Sequence, residues 1–236
     1  MSTEKHTFFC EDLNFGILDE DESGHAVRVL RLTEGNLITV IDGKGRSVIA
    51  KITSASKREV GFDIVEEHPN TEQPLRVHIG IAPTKNIDRF TFFLEKVTEM
   101  GIMEMTPILS ANSERKVIKI DKLEKGLISA IKQSGNLFLP QLNELTDLKT
   151  FILQDHGNAQ KFIAHCAEDT EKVEFKDVIN TQQNIVILIG PEGDFTPEEV
   201  KLAQENGFLS VSLGKSRLRT ETAGILACHT VYLASY

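Results

Sequence analysis

Two stretches near the C-terminus hold residue types that suit small-molecule chemistry. One is Gly190-Pro191-Glu192-Gly193 within Leu188–Val200, and the other is Leu213-Gly214-Lys215-Ser216-Arg217-Leu218-Arg219-Thr220-Glu221-Thr222-Ala223. Glycines allow positive φ and let a ligand approach the backbone. Pro191 stiffens the first loop, and the Glu192 carboxylate is a pure hydrogen-bond acceptor for hydroxyls or an amine. In the second loop Arg217 and Arg219 flank Leu218, with Glu221 close behind. That pattern suits either a surface ion pair or recognition of an anion or a base. An apolar run, Ile185–Ile189 or Phe208–Leu213, precedes each loop. Open α/β sheets place ligands at the loops that follow such buried strands, so one small molecule held between the two loops is expected.

Other nucleotide motifs fail. Gly214-Lys215-Ser216 ends like a P-loop, but Leu209 stands where that motif needs glycine. No GxGxxG, GxSxG or HExxH occurs. The three cysteines, Cys10, Cys166 and Cys228, are far apart. They point to no metal site and no disulfide framework, and fit a reducing cytoplasm. No apolar run is long enough to span a bilayer, so no membrane association is expected.

The elements that must position the loops follow from periodicity. Leu37–Asp42, Ser47–Thr53 and Glu59–Val65 read as short strands separated by turn signals such as Asp42-Gly43-Lys44-Gly45. The polar segment 66–74, with Pro69 and Pro74, reads as a linker. Residues 1–70 are therefore expected to form a small β-barrel domain, and 75–236 an α/β domain. In the latter, Leu75–Ala82, Met103–Leu109, Lys161–His165, Ile185–Ile189 and Phe208–Leu213 are strands. A helix capped by Asp88 runs through Met100, and amphipathic Asp121–Ser134 is another. Thr196-Pro197-Glu198-Glu199 is a capping box that opens a helix to about Asn206, and Glu221–Tyr236 is the last helix. Strands alternating with helices predict a parallel sheet with helices on both faces.

The net charge of -9 argues against a nucleic-acid binder, but its distribution softens the objection. Residues 24–60 carry seven basic side chains against three acidic ones, and residues 111–136 carry six against three. A local basic face binds phosphate on an acidic protein, and the plainer alternative is a solvated surface.

Together, GPEGDFTPEEV and LGKSRLRTETA resemble the RsmE family of ribosomal RNA methyltransferases in the SPOUT superfamily. His-Ala-Val-Arg-Val-Leu-Arg at 25–31, Glu95–Gly101, Ser113-Glu114-Arg115 and Lys132-Gln133-Ser134-Gly135 resemble its further motifs, with Asn136 where many members carry arginine. The resemblance implies a PUA-like N-terminal barrel and a SPOUT-type trefoil-knotted C-terminal sheet. It implies a cytoplasmic homodimer that methylates N3 of a uridine in 16S rRNA of the small ribosomal subunit, near the decoding site. S-adenosylmethionine would be held by Gly190, Pro191, Glu192, Gly193, Leu213, Gly214, Leu218, Arg219, Thr220, Thr222 and Ala223. Arg219 and Glu221 are the expected catalytic pair, and Arg28, Arg31, Arg46 and Arg115 the expected RNA contacts. The alternatives are a knotted methyltransferase acting on another RNA such as tRNA, and a non-catalytic ribosome-assembly factor.

Overall fold

The computed structural model describes residues 6–69, 74–167 and 171–235. The chain divides into two compact units, Met1–Gln73 with Ile128–Leu139, and Pro74–Leu127 with Pro140–Tyr236.

The first unit is a curled five-stranded sheet in the order β1-β3-β4-β5-β2. The strands are β1 (Thr7–Phe9), β2 (Ile17–Leu18), β3 (Leu37–Ile41), β4 (Arg46–Ala55) and β5 (Val60–Pro69). β3, β4 and β5 are the three strands expected from alternation. The Asp42-Gly43-Lys44-Gly45 turn forms as its composition requires. Asp42 Oδ1 accepts from the N–H of Lys44 at 2.7 Å and of Arg46 at 3.0 Å, while Gly43 and Gly45 take φ of 70° and 101°. Short helix α1 (Glu20–Gly24), N-capped by Asp19, runs into a π-turn over His25–Val29. Phe8, Leu13, Leu18, Ile38, Val40, Val48, Ile52 and Phe62 fill the interior.

Residues 128–139 belong to this unit although the sequence places them in the following domain. The physical reason is packing: Ile131 is fully buried against Phe9 and Ile41. Lys132 also donates to the carboxylate of Glu22, whose other oxygen accepts from the N–H of Phe9 at 3.3 Å.

The second unit is a parallel sheet ordered β11-β13-β10-β12-β6-β7-β8, with β9 paired to β7. In chain order its elements are β6 (Leu75–Ile81), α2 (Ile87–Glu99), β7 (Ile102–Leu109), α3 (Ile120–Ser134, whose second half lies in the first unit), β8 (Gln141–Leu142), β9 (Thr146–Asp147) and α4 (Leu148–Leu153). There follow β10 (Gln160–Ala164), β11 (Val173–Glu174), α5 (Phe175–Val178), β12 (Ile185–Ile189), α6 (Pro197–Glu205), β13 (Leu209–Ser212) and α7 (Thr220–Ser235). The cap of α2 is Asn86, not Asp88: Asn86 Oδ1 accepts from the Asp88 N–H at 2.9 Å. At α6 both hydrogen bonds of the Thr196–Glu199 capping box are made.

All five residues of β12 are buried, as expected of a strand covered on both faces. Val186 and Leu188 pack with Phe151, Ile152, Val200 and Ala203 of α4 and α6. On the other face α2 and α7 pack side by side. Gly224 permits that approach, since a Cβ there would lie 2.6 Å from Phe93 and 2.8 Å from Ile81.

A polar group sits inside the sheet at His78. Its Nε2 is 2.7 Å from Thr106 Oγ1 and its Nδ1 3.5 Å from Glu104, while Asn143 donates to both of those partners at 2.7 Å. Burial pushes the His78 pKa down to about 4; Glu104 opposes this, and nearby His156 adds to it. Because the folded value lies below the ordinary 6.5, stability from neutral His78 is complete above pH 6.5 and lost as pH falls towards 4. The difference corresponds to on the order of 3 kcal/mol. Urea midpoints at pH 7 and pH 4.5 should therefore separate more for the native protein than for His78→Gln; equal separations contradict the assignment.

Candidate functional site

The C-terminal ends of β10, β12 and β13 open onto a cavity of about 670 Å³. Register explains the convergence. Ala164, Ile189 and Val211 lie at the ends of strands paired side by side, with Ala164 opposite both Ile189 and Val211. The chain leaves each strand there, and the three loops form the walls.

Of the expected cofactor residues, Gly190, Pro191, Glu192, Leu213, Gly214, Leu218, Arg219, Thr220 and Ala223 line this cavity. Gly193 and Thr222 do not. A Cβ on Gly193 would meet Asn112 Cβ at 3.0 Å, so that glycine permits close packing of two loops. Thr222 is exposed on the outer side of α7. Thr220 is buried, and its hydroxyl donates to the Gly190 carbonyl at 3.0 Å, tying the two glycine-rich loops together.

That bond also orients the first turn of α7, and with it Glu221. With Thr220 turned to Gly190, the next side chain points some 100° around the helix. Glu221 does not line the cavity; it is buried, with Oε1 3.9 Å from Arg89 Nε of α2. Only Arg219 of the expected catalytic pair faces the cavity, where it is exposed.

The expected RNA contacts also divide. Arg28 and Arg31 are exposed on and just after the π-turn, and Arg31 takes a φ of 54°. Arg46 pairs with Glu67 at 3.3 Å, with both side chains well exposed. Such a pair is worth little and opens readily to another anion. Arg115 is different. Its Nε donates to the Thr84 carbonyl at 3.1 Å and its Nη2 to that of Lys85 at 2.6 Å, so its donors already serve the loop between β6 and α2. Two of its five N–H donors are thus engaged by backbone.

Several lining residues escape sequence reasoning. Asp194, at φ 62°, accepts from the N–H of Cys166 at 2.7 Å and of Phe195 at 2.9 Å. Lys172 donates to the carbonyls of His165 and Ala167 at 3.2 and 2.8 Å. His165 bonds through Nε2 to Ser210 Oγ at 3.0 Å, and its Nδ1 has no hydrogen-bond partner among the described residues. Burial, helped by Lys172 and opposed by Asp194, lowers the His165 pKa and keeps the ring neutral. The available signal was the strand Lys161–His165 itself, whose end had to lie beside the other two.

The cavity thus offers an apolar slot of Ala164, Ile189, Val211, Leu213 and Leu218, two carboxylates in Glu192 and Asp194, and cations in Lys172 and Arg219. That donor set fits S-adenosylmethionine. A purine suits the slot, carboxylates suit ribose hydroxyls and an ammonium, and a cation suits the amino-acid carboxylate. Among the described residues there is no cluster of three or more His, Cys, Asp or Glu able to hold a metal ion, and no helix long and apolar enough to cross a membrane.

Comparison with known proteins agrees with this geometry. A model of the RNA methyltransferase domain matches residues 71–232, and one of the RNA methyltransferase PUA domain matches 18–65. The ribosomal RNA small subunit methyltransferase E of Aquifex aeolicus is 30% identical over 92% of this chain and 95% of its own. A crystallised protein of Porphyromonas gingivalis, described as a probable rRNA-methyltransferase, superposes with a TM-score of 0.90 at 37% identity, covering 98% of this chain and 100% of its own. The ribosomal RNA small subunit methyltransferase E of Neisseria gonorrhoeae, bound to S-adenosyl methionine, does so with a TM-score of 0.83 at 27% identity, covering 98% of each chain.

Cys166 gives a test of the cavity. It is the exposed cysteine, whereas Cys228 is fully buried and its thiol is pushed up to about 12 by burial. Iodoacetamide should label Cys166 and spare Cys228, and saturating S-adenosylmethionine should slow labelling of Cys166 at least severalfold. Peptide mass spectrometry reads both sites, and unaltered labelling at Cys166 would show that the donor does not fill this cavity.

Proposed function

Because the chain belongs to the ribosomal RNA small subunit methyltransferase E family, we propose that it methylates N3 of a uridine in 16S rRNA near the decoding site of the small ribosomal subunit. The observation that carries this function is the cavity itself. Nine of the eleven positions expected to hold the cofactor meet there, and the residues that join them complete a set suited to S-adenosylmethionine. A non-catalytic assembly factor would have no use for so complete a cofactor site.

When bound, the donor supplies an activated methyl group on a sulfonium with a good leaving group. The chain's own residues then do three things. Backbone groups of Gly190, Leu213 and Leu218 and the Glu192 carboxylate orient the donor. The apolar walls exclude water. Arg219 stabilises the negative charge that spreads over the two uracil carbonyls as N3 loses its proton.

The substrate docks on the exposed arginines Arg28 and Arg31 of the first unit, aided by Arg46. The knotted threading is supported by topology. β13 lies beyond β10 from β12, yet the chain returns from it to pack α7 on β6 and α2. A homodimer is supported by Phe92 of α2 and Leu233 of α7, exposed large apolar residues on two helices that pack together. A ribosomal substrate and three free cysteines fit the cytoplasm.

Nucleoside mass spectrometry of 16S rRNA from a strain lacking the protein should show loss of one N3-methyluridine. Retention of that nucleoside with loss of a tRNA modification would instead favour the other RNA class. Arg219→Ala should lower kcat by roughly 10²–10³, as for a lost oxyanion donor, and Arg219→Lys should restore little. Donor affinity should change by less than about tenfold, or 1.4 kcal/mol. Collapse of donor affinity with near-normal single-turnover methylation at saturating donor would place Arg219 on the cofactor carboxylate instead. Light scattering at micromolar concentration should give the mass of two chains, and a monomer would count against an active site shared between subunits.

A further inference from the structure

We propose that Arg115 is a positioning residue of the cofactor site that acts on Glu192 through a single peptide group. The Arg115 guanidinium donates to the carbonyl oxygen of Thr84 at 3.1 Å. The N–H of the same peptide unit belongs to Lys85, and it donates to Glu192 Oε1 at 3.0 Å. A cation therefore sits at the oxygen end of one peptide dipole and a carboxylate at its hydrogen end. Each bond polarises the peptide in the sense that strengthens the other.

The grip is reinforced locally. Arg115 Nη2 also holds the Lys85 carbonyl at 2.6 Å, and Lys85 Nζ pairs with Glu114 at 2.8 Å. Glu114 and Arg115 thus hold residue 85 by its side chain and by both flanking carbonyls. The consequence falls on Glu192, which lines the cavity. An exposed glutamate on a glycine-rich loop would ordinarily sample many rotamers and lose that freedom on binding a ligand. Here one oxygen is fixed in advance by Lys85, and the second is left for a donor in the cavity. A guanidinium is suited to the task because its planar fork reaches two carbonyls at once, which an ammonium does not.

The proposal rests on the methyltransferase function for the identity of the ligand, but not for the relay itself. Calorimetry with S-adenosylmethionine on the full chain, its Arg115→Ala, Arg115→Lys and Glu192→Gln variants and the Arg115→Ala/Glu192→Gln double variant tests it, with unfolding curves checking that each variant folds. Arg115→Ala should weaken binding roughly tenfold, with less than half of the loss restored by lysine. The double variant should bind no more weakly than the weaker single one, because both act through one contact. Without any ligand, hydrogen exchange at the Lys85 amide should quicken in Arg115→Ala and in Glu192→Gln. RNA affinity and its salt dependence should not change in Arg115→Ala.

Additive losses in the double variant, or an unchanged Lys85 amide in the single ones, overturn the relay. Weakened RNA binding with a shallower salt slope and normal donor affinity returns Arg115 to phosphate contact and equally overturns it. If the native protein fails to bind S-adenosylmethionine, the methyltransferase function falls, while amide exchange at Lys85 still decides the relay.

Discussion

The cavity depends on holding polar loops still at the ends of parallel strands, and the hydrogen bond from Thr220 to the Gly190 carbonyl is the central restraint. Glycine-rich loops let a ligand reach the backbone, but they are costly to order, since glycine loses more conformational freedom than any other residue. The protein counters that cost with side chains that bond to loop backbone. Asn112 donates to the carbonyls of Gly193 and Asp194 at 3.1 and 3.0 Å, and Glu199 accepts from the Ala111 N–H at 2.8 Å. Asp194 takes the Cys166 N–H, and Glu192 takes that of Lys85. These bonds tie the loops after β6, β7, β10 and β12 and the first turns of α6 and α7 to one another. That is what preorganisation of a binding site means in physical terms.

The sheet supplies the geometry that makes such stitching possible. Parallel pairing of β10 with both β12 and β13 brings three strand ends to one level. Helices on both faces then bury the strands, and small residues set the spacing. At Gly224 any side chain would strike Phe93 and Ile81, so α7 lies close on α2 and β6. The first turn of α7 is thereby fixed from two sides, by the core through Gly224 and by the loop through Thr220. Arg219, immediately before that turn, inherits a defined place at the cavity.

Local patterns were legible in the sequence wherever local physics decides them. The Thr196–Glu199 capping box, the Asp42–Gly45 turn and the buried strand Ile185–Ile189 form as their residue types require, because each is determined by neighbours a few positions away. The two glycine-rich loops were recognisable for the same reason. The placements that local pattern does not give share a different cause. Gly193 faces Asn112, Arg115 reaches Thr84, and residues 128–139 pack on Phe9 and Ile41. These partners lie tens of residues or more away, and no local period encodes them. The displaced cap of α2 is a smaller case of competition, since Asn86 and Asp88 are both good capping types two residues apart and the turn after β6 favours the earlier one.

Glu221 shows how far apart in space neighbours in sequence can be placed. Its place after Arg219 invites pairing of acid and cation for proton transfer. Arg219 lies just before α7 and Glu221 in its first turn, and Glu221 comes to rest between α2 and α7 beside Arg89. The carboxylate is buried there at 9% exposure, and its Oε2 has no hydrogen-bond partner among the described residues. The proposed reaction also has to remove the N3 proton of uridine. Uridine N3–H is a weak acid, and a guanidinium beside its carbonyls lowers the cost of ionisation most where water is excluded. In that proposal the electrostatic part falls to Arg219, the member of the pair that lines the cavity.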